Sequence, residues 1–390
     1  MKRIYLDYAA ATPVDPRVVK VMQPYWDKVY SNPGSLHWFG QEASAAVFQA
    51  RQTIAKVLQC HYSEIVFTGS ATEANNLALR GAVKAWRRNH HGTPEIIISA
   101  IEHESIAATA EDLEQEGVKI VRIPVTKDGV VGTDVLSAAL NEKTVCVSII
   151  YAHNEIGTIQ PLKKIAELIK NHKKSGAYPL FHTDAVQAFN YLECRPVDLG
   201  VDLLTLSSQK IYGPKGVGIL YVRKNTPLQP IITGGGQESG LRSGTENVPA
   251  IVGYAKAVEL AENIRVQETK RIKTMQNSLE NKLHSTSSKI QLNSNAREKL
   301  PNILNIYVPD ILAQELLIHL DMRGIAVSSG SACSSRSTEA SAVIRALRYS
   351  EDRAKSSIRI SMGRYTVPED IDNFAEALKN IIKESPIKQK

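Results

Sequence analysis

Two side chains could carry nucleophilic chemistry, an amine and a thiol. Lys210 lies in Leu206-Ser207-Ser208-Gln209-Lys210-Ile211-Tyr212-Gly213-Pro214-Lys215-Gly216, between two apolar runs, Asp202–Leu206 and Gly218–Val222. Both runs read as buried strands, and Gly213-Pro214 is a turn signal. A lysine at the tip of such a strand-turn-strand unit is confined. If it is desolvated, its pKa falls and it becomes a nucleophilic amine, whereas an ordinary loop lysine stays solvated. Cys333 lies in Ser328-Ser329-Gly330-Ser331-Ala332-Cys333-Ser334-Ser335. Cysteines are commonly buried and inert, but small polar flanks favour an accessible, reactive thiol.

Further candidates stand where predicted strands end, and open α/β sheets bind ligands outside the carboxyl ends of their strands. Gly69-Ser70-Ala71-Thr72 precedes a predicted helix. It could hold a phosphate on backbone N–H groups and the Thr72 hydroxyl, or simply cap the helix. His103 follows Glu102 just past another strand. A zinc-protease motif fails because position 107 is Ala107. A lone histidine there is as readily structural as catalytic. Asp184 ends an apolar strand, with Gln187 three residues on; it either caps the next helix or pairs with a cationic ring nitrogen. Asn154 occupies a similar loop position. Gly234–Thr245 is too glycine-rich for helix or strand and permits close approach of a ligand or another chain. It lacks the Gly-Lys-Ser/Thr of a nucleotide-binding loop. Ser207-x-x-Lys210 fits part of the penicillin-binding signature, but Ser-Asp-Asn and Lys-Thr-Gly are both missing.

The elements that must position these residues alternate along the chain. Strands are predicted at Ile65–Thr68, Glu95–Ala100, Lys119–Ile123, Thr144–Ile150 and Leu180–Thr183. Helices are predicted at Val18–Trp26, Gly40–Leu58, Glu73–Arg88, from about Glu104, and at Leu162–His172. Alternation of apolar strands with helices implies an α/β fold with a mostly parallel sheet covered by helices. After about Pro249 a long charged helical stretch reaches His284. A helix at Leu312–Met322, strands at Ile325–Ser328 and Ser357–Ser361 and helices at Thr338–Leu347 and Pro368–Ile382 follow, suggesting a smaller α+β unit. The expected division is an N-terminal segment, 1–14, a large domain, 15–258, and a small C-terminal domain, 259–390, carrying the Cys333 loop.

Composition narrows the class. The 390 residues are 43% hydrophobic and 22% charged, with net charge +7. The charges are scattered, so a nucleic-acid-binding stripe is not expected. Four well-separated cysteines argue against a disulfide scaffold and a structural zinc site. There is no apolar leader and no membrane-spanning run, so a cytoplasmic enzyme is expected.

Taken together, these strings resemble the cysteine desulfurases of the NifS/IscS type. Those are pyridoxal-phosphate enzymes of the class-V aminotransferase family, with the type I fold. The resemblance runs through Tyr5-Leu6-Asp7, Thr68–Asn76, Glu102-His103, Asn154-Glu155-Ile156-Gly157, His182–Gln187, Lys210 to Gly216, Gly234–Asn247 and Gly330–Cys333. The serine-rich flanks of Cys333 resemble group I, whose cysteine lies on a long loop. The resemblance implies pyridoxal 5′-phosphate as cofactor, bonded to Lys210, which would then act as base at the substrate Cα. Asp184 would pair with the pyridine nitrogen and Gln187 with the ring hydroxyl, while His103 would stack on the ring and shuttle protons. Ala71, Thr72, Ser207 and Gln209 would hold the phosphate, with Thr245 reaching in from the other subunit of a homodimer. Arg359 would clamp the carboxylate of L-cysteine, with Asn154 beside it. Cys333 would take the sulfur as a persulfide, leaving L-alanine, and pass it to an acceptor protein such as an iron–sulfur scaffold; tRNA or DNA thiolation are other destinations. No intrinsic metal is expected, beyond Cys333 as a transient iron–sulfur ligand. The alternatives are a selenocysteine lyase and a class-V aminotransferase. Two positions depart from the pattern. Gln209 stands where many members have His, and is expected to alter cofactor affinity without abolishing it. His153 stands where many have Asn, and is expected to sit behind the pocket.

Overall fold

The computed structural model of the chain describes residues 3–173, 176–330 and 340–384. It opens with a short strand, β1 (Ile4–Tyr5), followed by α1 (Pro16–Met22), α2 (Pro24–Asp27) and α3 (Trp38–Leu58). The single helix expected from Val18 to Trp26 is in fact two. Pro24 has no N–H to continue the ladder, and instead sits in the first turn of the second helix. In α3, Ala43, Ala46, Val47, Ala50, Ile54 and Leu58 are buried, a spacing that turns one stripe toward the core.

Strands and helices then alternate, as the sequence pattern implied. The order is β2 (Ile65–Thr68), α4 (Ala71–Asn89), β3 (Glu95–Ser99), α5 (Glu104–Gln115), β4 (Lys119–Ile123), α6 (Thr133–Ala139) and β5 (Thr144–Ser148). Next come α7 (Leu162–Lys173), β6 (Leu180–Asp184), α8 (Pro196–Leu199), β7 (Leu203–Ser207) and β8 (Gly218–Val222). One seven-stranded sheet results, ordered β2-β8-β7-β6-β5-β3-β4. Neighbours from β4 through β7 are parallel, and β8 alone runs antiparallel to both of its neighbours. Every residue of β3, β5, β6, β7 and β8 is buried, which is why these strands read as unbroken apolar runs. Edge strand β4 exposes Lys119 and Arg122 instead. β8 doubles back on β7 with Ser207 opposite Gly218, so the connection bearing Lys210 emerges at the carboxyl end of β7.

Helix α9 (Val248–Thr286) is capped by the Asn247 side chain and runs unbroken through residue 258, where the expected domain boundary falls. It packs on α1, α3 and α13. The remaining elements are β9 (Gln291–Leu292), β10 (Ile303–Tyr307), α10 (Ala313–Asp321), β11 (Ile325–Ala326), α11 (Ala342–Ala346), α12 (Glu351–Lys355), β12 (Ser357–Ser361) and α13 (Pro368–Glu384). A second, antiparallel sheet is ordered β12-β10-β9. β1 pairs in parallel with β11, and Asp7 bridges Ser361, so the N-terminal segment is pinned to this C-terminal unit. No helix among the described residues is long and apolar enough to cross a membrane.

Candidate active site

A cavity of about 180 Å³ opens where the carboxyl ends of the central strands converge. Ten of the twelve residues singled out in the sequence line it. The turn into α4 contributes Ala71 and Thr72, and the loop after β3 contributes His103. Asn154 follows β5, and Asp184 and Gln187 come from the end of β6. Ser207, Gln209 and Lys210 follow β7, and Arg359 comes from β12.

Lys210 closes a short 3-10 turn, and its Nζ donates to the carbonyl oxygens of Ala9 (2.8 Å) and Ala10 (2.6 Å). The Gln187 amide donates to the same Ala9 oxygen at 2.8 Å. The N-terminal segment therefore forms one wall of the site. Asp184 is 5% exposed. One carboxylate oxygen accepts from the Val186 N–H at 3.0 Å, the other from Asn75 Nδ2 at 2.8 Å. Asn75 Nδ2 also donates to Ser105 Oγ at 2.8 Å, which in turn lies 2.8 Å from His103 Nδ1. His103 caps α5, with Nδ1 accepting the Ser105 N–H at 3.1 Å. That bond leaves the proton of a neutral ring on Nε2. His103 is thus both a structural cap and the end of a hydrogen-bonded chain that runs from Asp184 through Asn75 and Ser105.

At the opposite end of the cavity, Ser70 caps α4 by accepting the Glu73 N–H. The first-turn amides of Ala71 and Thr72 have no intrahelical carbonyl to bond. Gly218 packs directly beneath this turn, and a Cβ there would lie 2.7 Å from the Ser70 carbonyl carbon and 2.9 Å from the Ala71 nitrogen. Glu73 accepts the Gly69 N–H at 2.9 Å and Arg242 Nε at 2.8 Å, tying the glycine-rich segment to the turn. Arg359 is 1% exposed. Its guanidinium donates to Asp7 (2.6 Å) and to the Asn154 carbonyl (3.0 Å), while Nε has no partner.

One expected site residue, Thr245, is not brought into the cavity of its own chain. Thr245 is exposed and lines a surface cleft with Tyr25 and Tyr30. Cys333 lies outside the described residues. The three other cysteines are poor thiolates. Burial pushes the Cys60 thiol up to about 12 and raises Cys146 and Cys194 further.

Asn75, Ser105, Asp7 and Glu102 have no separate role in the sequence pattern. Glu102 is buried beside the cavity, accepting from Ser99 Oγ and the Ile150 N–H, with Oε2 unpartnered. Burial pushes its carboxyl up to about 8, and the charge of Asp184 adds to the shift. The signal for Asn75 was its place in the Thr68–Asn76 string, with no role attached to it. His153 does sit behind the cavity wall, but it bonds at both ring nitrogens.

Residues 4–374 match the family model described as aminotransferase class V. The cysteine desulfurase IscS of Dictyoglomus turgidum is 40% identical, covering 100% of this chain and 98% of that protein. The chain belongs to the NifS/IscS-type cysteine desulfurases. A solved NifS-like protein superposes with a TM-score of 0.91 at 36% identity, covering 98% of this chain and 100% of the other. A second, described as SspA in complex with cysteine, gives 0.81 at 35% identity over 94% and 100%. The architecture is the type I fold, and pyridoxal 5′-phosphate is the cofactor of this family. The residues present fit that group. Capped helix amides over Gly218 suit a phosphate, a buried carboxylate with spare acceptor capacity suits a ring N–H, and an amine lies in the same cavity.

Proposed function

We propose that Lys210 and Cys333 divide the desulfuration of L-cysteine between them. The reading rests on one observation, the convergence on the Lys210 cavity of ten of the residues that the family resemblance implied. Pyridoxal phosphate bound there would supply the electron sink for chemistry at the substrate Cα and Cβ. Ala71, Thr72, Ser207 and Gln209 hold its phosphate end, with Thr245 of the partner subunit completing the set in a homodimer. Asp184 and Gln187 would bond the ring, with His103 beside it. Arg359 and Asn154 orient the substrate carboxylate. Lys210 moves the proton at Cα, and His103 Nε2 exchanges protons beside it.

The Cys333 thiolate attacks the substrate sulfur. A sulfur–sulfur bond forms as the C–S bond breaks. The net change is enzyme thiol plus cysteine giving enzyme persulfide plus alanine, with no external oxidant or reductant. The raised pKa values of Cys60, Cys146 and Cys194 favour Cys333 as the acceptor. The persulfide sulfur then passes to a protein acceptor, with iron–sulfur cluster assembly the favoured destination, in the cytoplasm. Cys333→Ala should abolish sulfide release from cysteine under a thiol reductant while leaving cofactor absorbance in place. Lys210→Ala should abolish both. Undiminished desulfuration by Cys333→Ala would overturn the assignment.

A further inference from the structure

The His153 ring links two cavity loops that are far apart in sequence. It is 1% exposed. Its Nδ1 accepts the Glu155 N–H at 3.1 Å, so the ring proton sits on Nε2, which donates to the Ile101 carbonyl at 2.8 Å. Ile101 lies two residues before His103, and Glu155 directly follows Asn154. The imidazole therefore spans from the loop carrying His103 to the loop carrying Asn154. Its own backbone is fixed in turn, His153 N–H donating to Thr158 O and Gly157 N–H to His153 O. Burial holds the ring neutral, with a pKa near 3, so this single tautomer persists through the physiological range.

We propose that His153 is a positioning residue that fixes the spacing of His103 and Asn154 across the cofactor cavity. An asparagine at this position could make only half of the link. Its side chain can accept the amide two residues on, in an Asx-turn, but it is too short to reach Ile101 O. The histidine adds a bond between loops. A site whose groups must be held within about half an ångström gains directly from such a tie. Glu102, accepting from the Ile150 N–H, and Arg359, donating to Asn154 O, brace the same loops from other sides. His153 does not line the Lys210 cavity, although it borders the larger adjoining cleft that shares His103 and Asn154. This inference rests on His103 and Asn154 acting as assigned above.

The test pairs His153→Asn with His153→Gln in the full-length protein. Asparagine keeps the local turn and loses the cross-loop bond, and glutamine has the length to restore it. Amide hydrogen exchange of residues 101–106 in the cofactor-free protein reads the link independently of the assigned chemistry. Steady-state kinetics of the loaded enzyme reads its use. Loss of one buried neutral hydrogen bond should speed exchange at 101–106 by about three- to tenfold in His153→Asn, with α9 unchanged. It should lower kcat by a similar factor, with KM for cysteine within about twofold. His153→Gln should recover both. The proposal is overturned if exchange at 101–106 is unaltered, if it rises equally throughout α9, if kcat is unchanged despite faster local exchange, or if glutamine recovers neither readout. Failure of the Lys210 and Cys333 assignment would leave the exchange result intact and remove only the kinetic one.

Discussion

Glu102→Gln should reverse a pH-dependent loss of stability that the wild-type chain carries at its own active-site wall. Burial raises the folded-state pKa of this carboxyl from 4.5 to about 8 and outweighs the bonds from Ser99 and Ile150, which favour ionisation. The folded chain keeps a proton that the unfolded chain gives up. The group's stabilising contribution is therefore complete below pH 4.5. It falls as pH rises through the interval to about 8, because the folded state binds more protons there. Between pH 4.5 and 7 the loss amounts to about 3 kcal/mol, from 1.36 kcal/mol per unit. Glutamine keeps the carbonyl acceptor for Ser99 and Ile150 and cannot ionise. Other titrating groups cancel in the comparison. Urea unfolding of the cofactor-free proteins at pH 4.5 and 7 should show the variant gaining about 3 kcal/mol on wild type between the two. Parallel behaviour of the two proteins across that range would refute the reasoning.

Three more outcomes are expected. Asn75→Leu removes the donor that orients Asp184 and should weaken cofactor binding by about tenfold or more, as loss of a bond to a charged group implies; equilibrium dialysis measures it. His182, bonded to Ser148 and Thr205, is held neutral by burial at a pKa near 3. Its contribution is present above the unfolded value of 6.5 and lost as pH falls from there toward 3, so His182→Gln should shallow the acid limb of stability by about 1.4 kcal/mol per pH unit. Arg359→Lys loses the two-pronged geometry and its bonds to Asp7 and Asn154, and should raise KM for cysteine about tenfold or more in steady-state assays.

The positions of Lys210, Asp184 and His103 were legible because each ends or follows a strand buried on both faces, and such strands announce themselves as uninterrupted apolar runs. Asn75 was not legible as a site residue. An amide just past the first turn of a helix ordinarily marks a solvated face, and only the crossing of α4 over the end of β6 turns it onto Asp184. The contact between Asp7 and Arg359 spans most of the chain. It depends on pairing between β1 and β11, strands of two residues each, too short to leave a periodic signal. The same pairing brings the Ala9 and Ala10 carbonyls to the Lys210 amine. A place behind the pocket, expected for His153, describes its ring and leaves out its bonds. Its partner atom is a backbone carbonyl 52 positions away, which carries no mark in the sequence.

Peptide mass analysis after a single turnover with isotopically labelled cysteine tests the central claim most directly. The holoenzyme should yield alanine and one labelled sulfur on the peptide containing Cys333, and Lys210→Ala should yield neither. Label on Cys60, Cys146 or Cys194, or alanine formed with Cys333 unmodified, would contradict the account.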